Sequence, residues 1–193
     1  MQRLKEYHMV RTEQLAEGSS EEVPETPVGE VIHYIPHQPV IQGQADSTKM
    51  RIVYDCSAKT HCQVPSLNDC LKVGPPLQPT LFDLLENRMK MLCITGDIQK
   101  AFLQIKVDLR DRDAFRLLWY ENLDSRMVRQ YCFTRVIFGS GPSSYILGAT
   151  LQKHVSQYAD KYPSTADELL KNIYVQSGGD CVEELINFKK EAT

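Results

Sequence analysis

The stretch Thr95-Gly96-Asp97-Ile98-Gln99-Lys100-Ala101-Phe102-Leu103-Gln104-Ile105 carries the most information about the fold. It begins at the last residue of a continuous apolar run, residues 91–95. This run predicts a strand that is buried on both faces. Asp97 would then stand at the carboxyl end of that strand, where a hard cation such as Mg²⁺ takes carboxylates, carbonyls, waters and phosphate oxygens. The alternative is that Asp97 caps the turn that follows.

Two basic residues lie upstream, in the segment Asp46-Ser47-Thr48-Lys49-Met50-Arg51. A strand is predicted over residues 50–54, and Lys49 and Arg51 are two positions apart, so they would share one face of it. Two such cations can hold a triphosphate, and the Arg51 guanidinium can make bidentate contacts. The alternative is a solvated hairpin edge.

Downstream, the segment Phe138-Gly139-Ser140-Gly141-Pro142-Ser143-Ser144 joins a predicted strand to a predicted helix. Its glycines would let a ligand approach the backbone closely, and the amino end of the helix would favour an anion. An ordinary strand-to-helix turn explains the same residues equally well.

The remaining apolar pattern predicts interleaved helices and strands. Helical spacing joins Leu4 to Leu15, Leu77 to Arg88 and Leu147 to Tyr158, and a further helix with capping-box spacing from Thr165 to Glu168 begins at 163–168. Strand patterns cover 31–35, 50–54 and 173–175, a hairpin covers 114–120 and 129–138, and a closing helix covers 181–190. The order indicates an α+β or α/β architecture with a sheet covered by helices on one side.

The net charge of −3 is unevenly distributed along the chain. Residues 1–30 contain three basic and seven acidic residues, and an acidic, proline-containing linker is predicted over 21–29. The rest of the chain is nearly neutral. Overall charge therefore does not indicate nucleic-acid binding, and any polyanion site must be local.

Several classes of protein are excluded by composition. None of the six cysteines forms a C-x-x-C pair, which excludes a zinc ribbon and a thioredoxin-type site and predicts reduced, mostly buried thiols. His33 and His37 are four apart, but Pro36 and Pro39 exclude a helix that would pair them on a metal. No apolar run approaches the roughly 20 residues that span a bilayer. With no signal peptide apparent, an intracellular location, cytoplasmic or nuclear, without membrane contact is expected.

Taken in order, the segments resemble the reverse transcriptase domain of Bel/Pao-type long-terminal-repeat retroelements. The resemblance runs from about residue 10 to the end of the chain. It is carried by Tyr34-Ile35-Pro36-His37-Gln38-Pro39-Val40, the segment 48–59, Ser66-Leu67-Asn68-Asp69-Cys70-Leu71 with Gly74-Pro75, Asp97 to Ile105, Arg116 to Trp119, Phe133-Thr134-Arg135 and Phe138-Gly139.

The resemblance implies an α+β fold that comprises the fingers and part of the palm of a reverse transcriptase-like polymerase. Residues 1–30 would be an acidic helical lead-in and linker, 31–95 a fingers-like region with the start of the palm, and 96–193 a palm-like region. On this comparison the palm is truncated and the thumb is absent.

The resemblance also implies a reaction, template-directed nucleotidyl transfer with Mg²⁺. Asp97 would be a metal-binding carboxylate, and the Ile98 carbonyl would be a further ligand. The implied partners are an RNA or DNA template-primer and a deoxynucleoside triphosphate, while protein partners are not indicated. Two Mg²⁺ ions would activate the primer hydroxyl and stabilise the leaving pyrophosphate.

Five residues are implied for the nucleotide. Phe102 would be an aromatic gate beneath the sugar that disfavours a 2′-hydroxyl. Lys49 and Arg51 would contact the triphosphate, and Phe138 and Gly139 would line the pocket.

One departure from the family pattern bears directly on activity. Such polymerases carry a Tyr-X-Asp-Asp hairpin, whereas the corresponding stretch here, Tyr174-Val175-Gln176-Ser177, lacks both aspartates. Asp180 lies five residues beyond Val175, past two glycines, and is expected to cap the last helix rather than replace them. We therefore expect Mg²⁺ to bind weakly and the chain to be inactive as a polymerase.

Three alternatives to an inactive reverse transcriptase domain stay open from the sequence. The chain could be a non-catalytic binder of nucleic acid or nucleotide that keeps the Lys49 and Arg51 patch. It could be a protein-interaction scaffold that uses its acidic amino-terminal segment. It could also be a retroelement fossil without function.

Overall fold

Helices and strands are interleaved along the chain and make a mixed α+β fold, as predicted. The computed structural model describes residues 2–24, 26–44, 47–88 and 96–173. The chain divides into two units, each made from two separate stretches: Met1–Lys72 with Phe102–Gly141, and Val73–Ala101 with Pro142–Thr193.

Helix α1 (Gln2–Ala16) opens the first unit and is the helix that the spacing of Leu4 to Leu15 predicts. Gly18 ends it in the left-handed region, with φ of +67°, and the Ser19 amide bonds back to the Gln14 carbonyl at 3.0 Å. Two of its side chains, Tyr7 and Arg11, are buried. The amino-terminal segment is therefore packed into the unit.

A three-stranded antiparallel sheet of order β1-β5-β4 follows from β1 (Ser20–Glu22), β4 (Arg116–Tyr120) and β5 (Val128–Phe133). The predicted hairpin 114–138 is confirmed, although β5 ends at Phe133. Strand β1 pairs Ser20 with Phe133 and Glu22 with Tyr131. The linker predicted over 21–29 is thus wrong at its first two residues, which complete the sheet.

A second, two-stranded antiparallel sheet is formed by β2 (His37–Gln44) and β3 (Ser47–Tyr54). Strand β3 confirms the strand predicted over 50–54. The strand predicted over 31–35 is wrong, because in that segment only Tyr34 makes a bridge, to Arg116, and Val31 and Ile32 are exposed. Pro39 lies inside β2, which tolerates a proline because, within the described residues, its outer edge has no neighbouring strand.

The core of the first unit combines side chains from both sheets and from helix α2 (Leu67–Cys70). Its buried members are Ile35, Tyr54, Cys56, Leu67, Leu117, Tyr131, Phe133 and Ile137. Among the described cysteines, Cys56 and Cys132 are buried and Cys62 and Cys70 are exposed, and all four are free thiols. Burial raises the pKa of Cys56 to about 12, so this thiol stays protonated and unreactive at neutral pH.

Three helices shape the described part of the second unit: α3 (Leu81–Arg88), α4 (Ser143–Ser156) and α5 (Pro163–Asn172). All three were predicted. Helix α5 begins at Pro163, so Thr165 lies inside it, and the predicted capping box from Thr165 to Glu168 is wrong. Proline suits the first turn of a helix, because its missing N–H would have no partner there, and it sets the start earlier.

Some sequence predictions fall outside the described residues. These are the strand over 91–95, the closing helix over 181–190, and the strand over 173–175 apart from Ile173, which follows α5 with extended dihedral angles. Of the helices in the described ranges, none is both long and apolar enough to cross a lipid bilayer.

Candidate functional site

Phe102 and Phe138, two of the residues proposed for a ligand pocket, lie in contact within the first unit. Their ring centroids are 4.4 Å apart and the ring planes meet at 71°, an edge-to-face arrangement. Phe102 is 2% exposed, whereas Phe138 is 44% exposed. Phe138 is therefore the ring that a ligand would meet from solvent, and Phe102 supports it.

Gly139 continues from Phe138 and brings the backbone against the end of β3. Its φ of +90° lies in the left-handed region, and a Cβ atom at this position would stand 2.4 Å from the Tyr54 backbone oxygen. Both observations require glycine here. The other glycine of the 138–141 segment, Gly141, has a different role, because its amide donates a hydrogen bond to a side chain.

That side chain belongs to Asn68, in helix α2. The Gly141 amide donates to Asn68 Oδ1 at 2.8 Å, and Asn68 Nδ2 donates to the Gly139 carbonyl at 2.9 Å. The same Nδ2 donates to Ser57 Oγ at 2.9 Å. We name residues 138–141 the Phe138 turn. The single side chain of Asn68 therefore binds this turn at two backbone groups, the Gly141 N–H and the Gly139 carbonyl.

Helix α2 is itself fixed by a capping box at its amino end and by contacts with the core. Ser66 Oγ accepts from the Asp69 amide at 3.2 Å, and Asp69 accepts in return from the Ser66 amide at 3.0 Å, which makes a capping box. The Asn68 amide donates to the Cys56 carbonyl at 3.0 Å. Leu67 is buried in the core. Asn68 is therefore presented to the Phe138 turn from a constrained backbone.

Strand β3 carries the two basic positions proposed for a polyanion. In the β2–β3 register, position 49 faces Gln42 and Arg51 faces Val40. Residues two apart in a strand share a face, so positions 49 and 51 lie on one side of the hairpin, as predicted. Arg51 is partly buried, and Val40 and Val53 on that side are exposed. Tyr54, three residues after Arg51, ends the strand against Gly139.

The base of the hairpin is anchored by a cluster around Arg11 that the sequence did not indicate. Arg11 is 1% exposed, and its guanidinium donates to Gln14 Oε1 and, at 3.4 Å each, to Tyr54 Oη and Ser20 Oγ. The guanidinium also lies 5.7 Å from the Tyr131 ring centroid and 5.8 Å from that of Phe133. We name Arg11, Gln14, Ser20 and Tyr54 the Arg11 cluster. Burial raises the pKa of Tyr54, so its hydroxyl stays neutral beside the cation.

A buried charge pair, Asp113 with Arg116, fixes the chain that leads into β2. Arg116 donates through Nε at 2.9 Å and Nη2 at 2.6 Å to Asp113 Oδ1. Asp113 Oδ2 accepts from the amides of Val28 at 2.9 Å and Gly29 at 2.7 Å. Both carboxylate oxygens are thus satisfied, which is the condition under which a buried ion pair is tolerated.

Asp97 and Ile98, the predicted metal-binding residues, belong to the second unit. They lie in irregular backbone before a turn at Gln99 and Lys100, with Asp97 exposed and Ile98 partly buried. In the part of the chain that the structure describes, no three His, Cys, Asp or Glu side chains group as a metal site would require. Tyr174, Val175 and Asp180 lie outside the described residues.

No protein-family model matches the chain, and no similar sequence was found among curated proteins.

Proposed function

We propose that this chain is a reverse transcriptase-like protein that binds deoxynucleotides and nucleic acid and does not carry out nucleotidyl transfer. The observation that carries the proposal is the contact between Phe102 and Phe138. The resemblance assigns both rings to one nucleotide pocket, and they are 36 positions apart in sequence. Gly139, assigned to the same pocket, packs against the end of β3.

A nucleotide would meet two kinds of surface in the first unit. The exposed ring of Phe138 offers an apolar face for a base or a sugar. Arg51, with Lys49 two positions before it on the same side of β3, offers positive charge for phosphates. The proposal assigns the base and sugar to the Phe138 turn and the phosphates to β3. It implies an intracellular location, in the cytoplasm or nucleus, where deoxynucleotides are found.

The absence of polymerase chemistry is argued from the sequence at Tyr174-Val175-Gln176-Ser177, where two aspartates would be required. Two-metal catalysis draws several kcal/mol of transition-state stabilisation from ions that these carboxylates hold. Since each 1.36 kcal/mol is a factor of ten, their loss lowers the rate by roughly a thousandfold or more. Asp97 and the Ile98 carbonyl would still offer Mg²⁺ a weak site.

Primer extension tests the catalytic half of the proposal. The intact chain is given an RNA template, a DNA primer, deoxynucleotides and Mg²⁺, beside Asp97→Asn. No extension by either protein is expected. Incorporation by the wild-type chain that Asp97→Asn abolishes would overturn the claim of inactivity and would identify Asp97 as catalytic.

The dependence of binding on salt concentration tests the second part of the proposal, that the chain binds nucleic acid. We expect an RNA–DNA hybrid to bind at low salt, with an affinity that falls as salt rises because counterions are released. Lys49→Ala and Arg51→Ala should each reduce the slope of log K against log salt by roughly 0.7–0.9. Arg110→Ala is the matched control, since Arg110 is an exposed cation paired with Asp108. No binding at low salt would exclude a nucleic-acid function.

A further inference from the structure

The Asn68 side chain makes nearly all of the hydrogen bonds that an asparagine amide can make. An asparagine amide offers two donors and an acceptor oxygen with two lone pairs. Here Nδ2 donates to the Gly139 carbonyl and to Ser57 Oγ, and Oδ1 accepts from the Gly141 amide. Three of four possible bonds are made, and two of them go to the Phe138 turn.

The two bonds to the turn are of opposite sense, and this limits which residue can make them. A carboxylate has no donor for the Gly139 carbonyl, and an apolar side chain has neither donor nor acceptor. The Gly139 backbone also lies close to the Tyr54 carbonyl, which a Cβ at position 139 would meet at 2.4 Å. The turn therefore contacts both the end of β3 and Asn68, and Phe138 stands at its first position.

From these contacts we propose that Asn68 is a positioning residue for nucleotide binding: it fixes the Phe138 turn so that the exposed Phe138 ring is presented to a base or sugar. The inference rests on the proposed function. Asn68 acts through the turn and does not touch the ligand. Its contribution is to keep the turn in one conformation before binding, which lowers the entropy lost when the ligand is bound.

The test distinguishes binding of the base and sugar from binding of the phosphates. Affinities for dATP and for inorganic tripolyphosphate are measured by equilibrium dialysis on the intact wild-type chain, Asn68→Ala, Asn68→Asp and Ser57→Ala. Both Asn68 variants should bind dATP about tenfold more weakly and tripolyphosphate within twofold of the wild type. Ser57→Ala is the matched control, because it removes the third partner of the same amide and leaves both contacts to the turn. Its dATP affinity should stay within twofold.

Amide hydrogen exchange provides a readout that does not depend on a ligand. Exchange at Gly141 should accelerate in Asn68→Ala, which has no acceptor, and should stay close to wild type in Asn68→Asp, which keeps one. A thermal melt of each variant accompanies the measurement. If Asn68→Ala melts too low to assay, Asn68→Asp alone decides the dATP comparison.

The outcomes distinguish the two proposals. Absence of dATP binding by the wild-type chain would overturn the proposed function and this inference with it. Wild-type binding that the Asn68 variants retain within twofold would overturn the role of Asn68 alone. Equal losses for dATP and tripolyphosphate, equal losses in Ser57→Ala and Asn68→Ala, or unfolding of both Asn68 variants would mean that Asn68 supports the core rather than the turn.

Discussion

The Tyr7 hydroxyl donates a hydrogen bond to Nδ1 of His37, joining helix α1 to the first residue of β2. The direction follows from the other ring nitrogen. His37 Nε2 lies 3.0 Å from the Leu118 carbonyl, which can only accept, so Nε2 carries the proton and Nδ1 is the acceptor. Trp119 stacks on Tyr7 with ring centroids 4.4 Å apart. A neutral His37 thus links α1, β2 and β4.

This arrangement predicts that mild acid destabilises the first unit. Burial is the largest cause that lowers the pKa of His37 from its ordinary 6.5, and the nearby Arg11 charge lowers it further. The unfolded chain then binds the proton at a higher pH than the folded chain. Stability is therefore complete above about pH 6.5 and falls as the pH drops below it, by at most about 1.4 kcal/mol per pH unit. Urea unfolding between pH 7.5 and 5 measures the fall.

His37→Gln is the control for this pH dependence, since glutamine can form hydrogen bonds and does not titrate. Its unfolding free energy should vary less between pH 7 and 5 than that of the wild type. A wild-type profile that is flat over this range, or a variant profile as steep as that of the wild type, would show that His37 is not responsible.

Replacing Arg11 should destabilise the first unit strongly. Arg11→Ala leaves Tyr54 and Ser20 without their buried donor and opens a cavity between α1 and β5, so we expect a loss of about 3 kcal/mol. Arg3→Ala, on the exposed face of the same helix, should change stability by less than about 0.5 kcal/mol. The free energy of unfolding in urea gives both values, and a loss below about 1 kcal/mol for Arg11→Ala would contradict the structure.

The Phe138 turn predicts a contrast between two glycines. Gly139→Ala meets both a positive φ and the Tyr54 carbonyl, whereas Gly18→Ala meets a positive φ and no atom within 4 Å. The dihedral strain costs about 1–2 kcal/mol at either site. Overpacking adds about 1–3 kcal/mol at position 139 alone. Thermal and urea unfolding should rank Gly139→Ala as the less stable variant, and equal losses would argue against the close approach to Tyr54.

Breaking the buried pair of Asp113 and Arg116 should cost about 3–5 kcal/mol in Asp113→Ala, because an uncompensated guanidinium stays buried. Asp108→Ala removes an exposed pair with Arg110 and should cost much less, because solvent and salt screen an exposed pair. Unfolding free energies at pH 7 compare the two.

The same pair gives a second acid dependence. Burial by itself would raise the pKa of Asp113, but the bonds from the Gly29 amide and Arg116 outweigh it and hold the pKa below 3.8. The stability from Asp113 is thus present above the pKa of the unfolded carboxyl and is lost as pH falls through the folded value. Asp113→Ala should therefore lose less stability than the wild type on acidification below about pH 4. An equal loss in both proteins would contradict this.

Much of the secondary structure was predictable because its causes are local. Helix α4 follows from apolar residues at helical spacing, with Leu147 and Val155 buried, and from Pro142 directly before its first residue. The β4–β5 hairpin follows from two apolar runs around a polar turn. Strand β1 could not be predicted, because Ser20-Glu21-Glu22 has no apolar alternation and is a strand only through its pairing with β5.

The candidate site was less accessible to sequence reasoning. The resemblance named Phe102, Phe138 and Gly139 together, but the burial of Phe102 beneath an exposed Phe138 depends on tertiary packing. Asn68 stood in the segment 66–71 that carries the resemblance and was assigned no role, because its partner Gly139 is 71 positions away. Arg11 shares the helical spacing of Leu4 and Leu15, but that spacing does not predict a buried cation, because arginine is rarely buried completely.

Strand β1 has a practical consequence for experiments that shorten the chain. Removing residues 1–30 to test the acidic segment as a docking element would also strip Tyr131, Cys132 and Phe133 of their hydrogen-bonding neighbours. An uncovered strand edge pairs with other chains, so the shortened protein would self-associate. In a binding experiment, this self-association would be mistaken for the loss or gain of a partner protein. Charge reversal at Glu13 and Glu17, which are exposed outside the strand, would change the acidity of the segment while keeping the edge covered.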